Sequence, residues 1–380
     1  MPVETPTAAD VRVALLPTLP FHAGTSMQVY ASEVTDSLAG IAGIRAEILR
    51  PPFASQRGVG WARSRWARYV AYPGWAASQL SDVFHVVDHG NAQLLWRLPR
   101  ASTVVTCHDL YPLAIVAGGL RFPGAPSRAR MLPTALRLRA LRRARLILNV
   151  SRHTEMECRR YLGIPDDRLR VLPESVSEEF WVPPDRGAIE AMRARLGLDP
   201  RDVALLHVGS NDARKNLGAA CRVVAGLQAV LRRPVKLVKV GPRLGAADMA
   251  ILTGAGLEPD IVRQVQGVAT GDLVHVYHAA TALLFPSFYE GFGRPVAEAM
   301  AAGLPVVAST AAAIPEVAGG TAALYDPCDV AGMVAGIARI VEDPGCRKAM
   351  AEAGRDESRR FAGDRHGRAL AAVYREIAAR

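Results

Sequence analysis

Between Ala282 and Ala308 the chain reads ALLFPSFYEGFGRPVAEAMAAGLPVVA, a stretch whose apolar runs and Pro/Gly breaks leave few ways to fold it. The apolar run Ala282 to Phe285 is stopped by Pro286 and Ser287, which predicts a buried strand ending there. A loop carrying Glu290, Gly291 and Gly293 leads to Pro295, and proline favours the first helical position, so a helix is expected to start there. That helix is apolar almost all round (Val296, Ala297, Ala299, Met300, Ala301, Ala302), ends at Gly303 and feeds a second buried strand, Pro305 to Ala308. Glu298 breaks its apolar surface. An unpartnered carboxylate in such a place costs several kcal/mol, so its presence implies a group that uses it. Glu290 and Glu298 would face one crevice from the two ends of one loop, at the carboxyl edge of a parallel sheet, where folds of this type bind ligands.

The same alternation runs through the chain. Val11 to Leu16, Ile44 to Leu49, Val83 to Val87, Thr103 to Cys107, Leu146 to Val150 and Leu169 to Leu172 read as short strands between segments of helical character. This predicts an α/β fold, a doubly wound parallel sheet with right-handed crossovers. From Pro173 to Gly187 the pattern loosens into PESVSEEFWVPPDRG; it restarts with strands over Val203 to Val208, Val235 to Val240 and Ile261 to Val265 and a helix over Leu217 to Leu231. A length of 380 residues suits two such domains better than one. The expected division is a first domain over residues 1–180, a linker over 181–200, a second domain over 201–360, and a C-terminal helix over 361–380. The apolar stripe Leu370, Val373, Tyr374 and Ile377 would pack that helix back on the first domain.

Composition narrows the function classes. No apolar run reaches the roughly 18 residues that span a bilayer. The opening MPVETPTAAD lacks a basic segment followed by an apolar one, so a cytoplasmic protein is expected. Five scattered cysteines without C-x-x-C spacing argue against a disulfide framework and against a zinc site. The net charge of +10 is concentrated towards the front, where 22 arginines, no lysine and 15 acidic residues precede Pro184.

Two further stretches carry chemistry. In HVGSNDARKNLGAA, from His207, a buried strand runs into Gly209-Ser210 and a short loop presents Arg214 and Lys215 just before a helix. Free N–H groups at a helix start and two adjacent cations suit a diphosphate. VVTCHDLYP ends another buried strand with His108 and Asp109 at its carboxyl edge. Gly24, in the loop after the first strand, would allow the backbone to approach a ligand closely.

Set inside F-P-S-x2-E-G-F-G-x-P-x2-E-A-M-A-x-G-x-P-V-V, the two glutamates resemble the E-x7-E segment of retaining, nucleotide-sugar-dependent glycosyltransferases of the GT-B fold, in particular the family 4 group. R-K-N at Arg214 to Asn216 and T-x-H-D-L at Thr106 to Leu110 resemble motifs of the same family. The resemblance covers residues 80 to 330 by motif and the remainder by arrangement of elements. It implies two Rossmann-like domains facing a central cleft, the acceptor bound mainly by the first and the donor mainly by the second. It further implies that Arg214 and Lys215 neutralise the leaving diphosphate beside Gly209 and Ser210, and that Glu298 holds the ribose hydroxyls. Glu290 lies towards the transferred sugar, with Gly291, Phe292 and Gly293 near the phosphates and sugar hydroxyls. The Gly267-Val268 loop lies against the base, and His108 reaches the donor sugar. One departure stands out: where relatives often carry P-N-G-V, this chain has Pro173-Glu174-Ser175-Val176.

The expected activity is retaining transfer of a hexose from a nucleoside-diphosphate sugar to a hydroxyl acceptor, which could be a glycan, a lipid-linked sugar or a small molecule. No D-x-D occurs, so no metal site is expected, and no cofactor beyond the donor itself. Two alternatives stay open: a sugar-phosphate enzyme of the same fold (epimerase or phosphorylase type), and a basic nucleic-acid-binding protein. A pyridoxal phosphorylase needs a buried lysine, and none of Lys215, Lys236, Lys239 and Lys348 stands in a setting that suggests one. Nucleic acid is not expected as a partner, because binding it would leave Glu290 and Glu298 unexplained. Arg57, Arg63, Arg65 and Arg68 interleave with Trp61, Trp66 and Trp75 in an acid-free stretch, and nine more arginines lie between Asp109 and Glu155 without an acid. These segments suit peripheral contact with an anionic membrane or an anionic acceptor.

Overall fold

The computed structural model describes residues 10–19, 25–53 and 61–379, which fall into two compact units. One comprises Met1–Leu120, Pro126–Ser175 and Gly363–Arg380; the other comprises Arg121–Ala125 and Val176–Ala362. Gly24 and Arg57 lie outside the described residues.

The first unit is built on six strands: β1 (Val11–Leu16), β2 (Ile44–Ile48), β3 (Val83–Val86), β4 (Thr103–Cys107), β5 (Leu146–Asn149) and β6 (Leu169–Val171). They form one parallel sheet in the order β2-β1-β3-β4-β5-β6. Strands β3, β4 and β5 are buried at every position, the signature of a sheet covered by helices on both faces. One face packs Leu16, Val86, Val105 and Ile147 against Tyr72, Leu94 and Leu141; the other packs Val13, Val83, Val104 and Leu148 against Tyr30, Val34 and the C-terminal helix. That helix, Gly363–Ala378, buries Leu370, Tyr374 and Ile377 in the second of these faces, and the Tyr374 hydroxyl lies 2.7 Å from His85 Nδ1.

In the second unit, β7 (Val203–Val208), β8 (Val235–Val240), β9 (Val262–Val265), β10 (Ala282–Phe285), β11 (Val306–Ser309) and β12 (Ala323–Tyr325) form a parallel sheet in the order β12-β11-β10-β7-β8-β9. This is the doubly wound dinucleotide-fold order, with the switch point between β7 and β10. The stretch that most constrained the sequence folds as anticipated. β10 is followed by a loop, a buried helix over Arg294–Ala301 with proline in its first turn, and β11. Gly293, at φ +97°, makes the turn into that helix in the left-handed region that other residues avoid.

Two local features were not read from the sequence. The segment 181–200, expected as a linker, holds a helix over Arg186–Arg195, capped by the Asp185 carboxylate on the Ala188 N–H at 2.8 Å and anchored by buried Met192. The prolines that suggested a linker end just before that cap. Strand β12 gave no signal in sequence because it is three residues long and only partly buried. The stretch Arg121–Ala125 belongs to the second unit, where the Phe122 ring stacks on Phe288 with centroids 4.9 Å apart.

Candidate active site

Strand β7 delivers its last residues to the switch point, and the chain turns through Gly209 and Ser210 into a short 3-10 turn, Ala213–Lys215. Asp212 caps that turn by accepting from the Arg214 N–H at 2.9 Å. Asn216 follows in the left-handed conformation and caps the helix Leu217–Val230 by accepting from the Ala219 N–H at 3.2 Å. Its amide also donates to Pro286 O at 3.0 Å and Pro327 O at 2.8 Å, tying the β7 loop to the loop that leaves β10. The Phe288 N–H donates to Arg214 O at 2.7 Å and adds a second tie. Sequence reasoning gave Asn216 no role; its job is to hold the two switch-point loops in register.

Across this junction Lys215 Nζ meets Glu290 Oε1 at 2.6 Å, both side chains about nine-tenths buried. Lys215 lies over the Phe285 ring, 5.2 Å from its centroid. The structure thus joins two residues that the sequence had assigned separately, one to the diphosphate and one to the sugar. A buried pair of this kind is costly to desolvate and strongly destabilised when one partner is removed.

Glu298 sits one turn into its helix and accepts from the Tyr277 hydroxyl at 2.5 Å. Burial, with the adjacent Glu298 charge adding to it, raises the Tyr277 phenol well above its ordinary range, so it acts as a donor. Tyr277 is held in turn by an edge-on contact with Phe180. The buried carboxylate that the sequence flagged therefore has a protein partner. Phe292 is a different case: its ring is buried edge-on against Phe361 at 5.3 Å, which leaves only its main chain for a ligand. Val268, half-buried, follows β9 two strands from β7 on the same edge. A cavity of about 630 Å³ opens at the opposite, amino edge beside Asp202, Thr281 and Pro305; Tyr277 reaches it, but Gly209, Lys215, Glu290 and Glu298 do not.

The first unit carries a second polar cluster at its own carboxyl edge. His108, just beyond β4, is 6% exposed; its Nε2 lies 2.9 Å from Val87 O and its Nδ1 lies 2.7 Å from Glu174 Oε1. A carbonyl only accepts, so Nε2 carries a hydrogen, and the remaining proton is shared between Nδ1 and the carboxylate. Burial alone would push His108 down, but the hydrogen bond and charge of Glu174, with Asp88 adding to them, raise it above its ordinary value. Glu174 thus favours the protonated form of His108.

Next to it, Asp88 and His89 follow β3, Asp88 capping the 3-10 turn that His89 begins. Asp88 accepts from the Thr18 hydroxyl and from the Gly90 N–H at 2.7 Å. Although burial opposes it, His89, these donors and His108 hold Asp88 below the usual carboxylate range. His89 accepts from the His108 main-chain N–H at 3.2 Å, and burial lowers it, with Asp109 and Asp88 opposing the shift. Glu174, Asp88 and His89 were not selected from sequence. The available signal was the pairing of D-H after β3 with H-D after β4, and the glutamate that departs from P-N-G-V.

Two doubly wound α/β domains, each with a charged cluster at the carboxyl edge of its sheet, are the architecture of GT-B glycosyltransferases. Comparison with known proteins identifies the family. Residues 23–180 match Glycosyltransferase Family 4 and residues 188–357 match Glycosyl transferases group 1; together the matches take in most of the chain, which belongs to this family of glycosyltransferases. The chain is 29% identical over 300 residues to O-antigen chain mannosyltransferase B of Escherichia coli, covering 77% of this chain and 74% of that one. Sucrose-phosphate synthase from Thermosynechococcus elongatus shares the fold with a TM-score of 0.76 at 20% identity, over 97% of this chain and 99% of the other. HepE of Anabaena, solved with UDP and glucose, follows at a TM-score of 0.70 and 18% identity, over 96% and 99%.

Proposed function

We propose that this glycosyltransferase transfers a hexose, with retention, from a nucleoside-diphosphate sugar to a hydroxyl acceptor, without a metal ion. The observation that carries the reading is the buried Lys215–Glu290 pair at the β7/β10 switch point, flanked by the Gly209-Ser210 turn. In this reading Arg214 and Lys215 oppose the charge that grows on the diphosphate as the glycosidic bond breaks. Glu290 orients the sugar, the Gly291 to Gly293 main chain lies near its hydroxyls and the phosphates, and Glu298 takes the ribose diol. Val268 faces the base. The mannosyltransferase relative and the UDP- and glucose-bound HepE structure support a nucleoside diphosphate and a hexose as the donor's parts.

Retention follows a front-face course: the bond from the anomeric carbon to the β-phosphate oxygen breaks, the acceptor oxygen bonds on the same face, and its proton passes to the departing phosphate oxygen. Positioning and charge stabilisation then supply the rate. His108, held by Glu174, belongs to the domain read as acceptor-binding. Incubating the protein with UDP-, GDP-, ADP- and dTDP-hexoses and following donor hydrolysis tests the reading; one nucleotide series should be consumed. Hydrolysis of none, with no thermal stabilisation by any nucleoside diphosphate, would refute it.

A further inference from the structure

Strand β8 reads VKLVKV, and a lysine inside a strand of a two-sided sheet is out of place. Lys236 resolves this at the rim, 3.3 Å from the Asp260 carboxylate. Lys239 does not: its side chain is 1% exposed and pairs in register with His207 of β7. Its Nζ donates to Gly209 O at 2.6 Å and to Val240 O at 3.2 Å. Burial is the first cause that lowers the ammonium, to about 8; Asp248 opposes the shift and Lys215 adds to it. His207 beside it is pushed down to about 3 by burial and by Lys239, so it stays neutral and leaves the positive charge on the lysine. Asp248 is occupied by the Asn211 amide and the Gly245 N–H, both at 2.9 Å.

The place where that ammonium ends is specific. Gly209 O belongs to the peptide that joins Gly209 to Ser210, and a trans peptide directs its N–H opposite to its C=O. With the carbonyl drawn inward by Lys239, the Ser210 N–H is turned outward at an exposed residue of the switch-point loop. The packing leaves little freedom for this peptide to rotate. A Cβ on Gly241 would come within 2.1 Å of Gly209 O and 2.9 Å of Lys239 Nζ, and one on Gly209 would sit 3.0 Å from Lys215 Cε. Both glycines have positive φ.

We propose that Lys239 is a positioning residue of the donor site: from beneath the sheet edge it sets the Gly209-Ser210 peptide so that the Ser210 N–H is presented to the donor's diphosphate, and it adds a buried positive charge behind that peptide. This rests on the reading of the β7/β10 junction as the diphosphate site. Lys239 touches no substrate; it acts through the peptide it holds. The groups facing it are His207, Lys215 and Asp248; His207 is pushed down to about 3 and Lys239 to about 8.

The test is calorimetric binding of UDP, GDP, ADP and dTDP and of the matching nucleosides. For the nucleotide that the natural protein binds best, Lys239→Met should weaken the diphosphate at least tenfold and the nucleoside by less than twofold. Lys239→Arg, which keeps a cation, should recover part of the loss. Independently of any variant, diphosphate affinity of the natural protein should fall at least threefold from pH 7.5 to 9.5 while nucleoside affinity stays level. A folded Lys239→Met with unchanged diphosphate affinity, or with both ligands weakened equally, overturns the proposal. So does a level pH profile for the diphosphate, which decides the matter even if the variants do not fold. If the natural protein binds no nucleoside diphosphate at all, the donor-site reading itself has failed.

Discussion

Replacing Glu174 by Gln keeps the shape of the side chain and removes the charge that holds the His108 proton. In the natural protein His108 is raised above its unfolded value of about 6.5. A group raised on folding contributes stability that is fully present below the unfolded value and is lost as pH climbs through the folded one. In Glu174→Gln the main opposition to burial is gone, with Asp88 and the Val87 carbonyl remaining, so the histidine holds its proton less firmly than in the natural protein. The gap between the two proteins is therefore largest in acid and closes in alkali. A hydrogen bond between charged groups contributes about 1.5 to 3 kcal/mol, and removing one partner of a buried pair costs about 3 to 5. His108 can relieve the stranded charge by losing its proton, so the lower range applies, ~2 kcal/mol at pH 5.5. For a domain of 150 to 250 residues that is a Tm lowered by roughly 4 to 8 °C. Paired thermal melts from pH 5.5 to 9 measure it, and the contributions of Asp88 and His89 largely cancel in the difference. A gap that is constant, or one that widens in alkali, would show that the folded pair takes up no extra proton, and either refutes a His108 raised by Glu174.

The donor side gives sharper activity readouts. Glu298→Ala should raise the dissociation constant for the nucleoside diphosphate about tenfold, the loss of a charged hydrogen bond, with the fold intact by circular dichroism; unchanged calorimetric binding would remove Glu298 from the ribose. Arg214→Ala and Lys215→Ala should cut turnover more than nucleoside affinity, because the charge they oppose grows in the transition state; normal turnover at saturating substrates would reduce them to structural charges. Activity should survive EDTA, and complete loss restored by magnesium or manganese would reveal a metal requirement. Vesicles of anionic but not neutral lipid should sediment the protein at low salt, and Arg63→Gln with Arg65→Gln and Arg130→Gln should weaken this, at ~1 kcal/mol per basic residue near the surface; partitioning into neither vesicle type would point to a soluble acceptor.

The last of these predictions gains from the fold. The two acid-free stretches are separate in sequence, yet Arg137 of the helix Arg128–Leu138 donates to the Tyr69 hydroxyl at 2.9 Å, joining that helix to the helical segment Trp61–Ala77. Trp66, Val70, Leu132 and Leu136 are exposed among the arginines. Arg68, however, donates to Gly90 O at 2.6 Å and is partly buried, so it is unsuited to the vesicle test even though it shares the stretch with Arg63 and Arg65. Sequence patterning could count arginines but could not tell a braced one from a solvated one.

Legibility followed the kind of force involved. Strand positions came out within a residue or two because a buried parallel strand needs an unbroken apolar run, and such runs here stop at Gly, Pro or charged residues. Lys215, Glu290 and Glu298 were legible as candidates because a charge inside an apolar pattern is conspicuous. Their partners were not, because a hydrogen bond between residues 75 positions apart, as in Lys215–Glu290, leaves no local trace. Tyr277 reads as an ordinary core aromatic, and Glu174 as a lost turn residue, until the fold brings each to its partner. Lys239 drew notice only as a lysine in no setting that suggests a pyridoxal site; it is one of two lysines in β8, and the fold shows that its ammonium reaches the Gly209 carbonyl.

Both units meet the same problem in the same way. A parallel sheet ends its strands with carbonyl and N–H groups that loops must satisfy, and at the switch point the loops diverge and leave polar backbone to be held by side chains. In the second unit Asn216, Lys215 with Glu290, and Lys239 do the holding; in the first, His108 with Glu174, and Asp88 with Thr18 and Gly90. Each charged member is anchored by at least one bond to main chain or to an opposite charge, so that it is fixed in direction before any ligand arrives. Fixed charges of this kind lower a barrier without reorganising, whereas the same groups on mobile surface loops would be screened and would have to be ordered at each turnover. The buried charges are where the chain departs from the apolar pattern that the rest of its sheets obey.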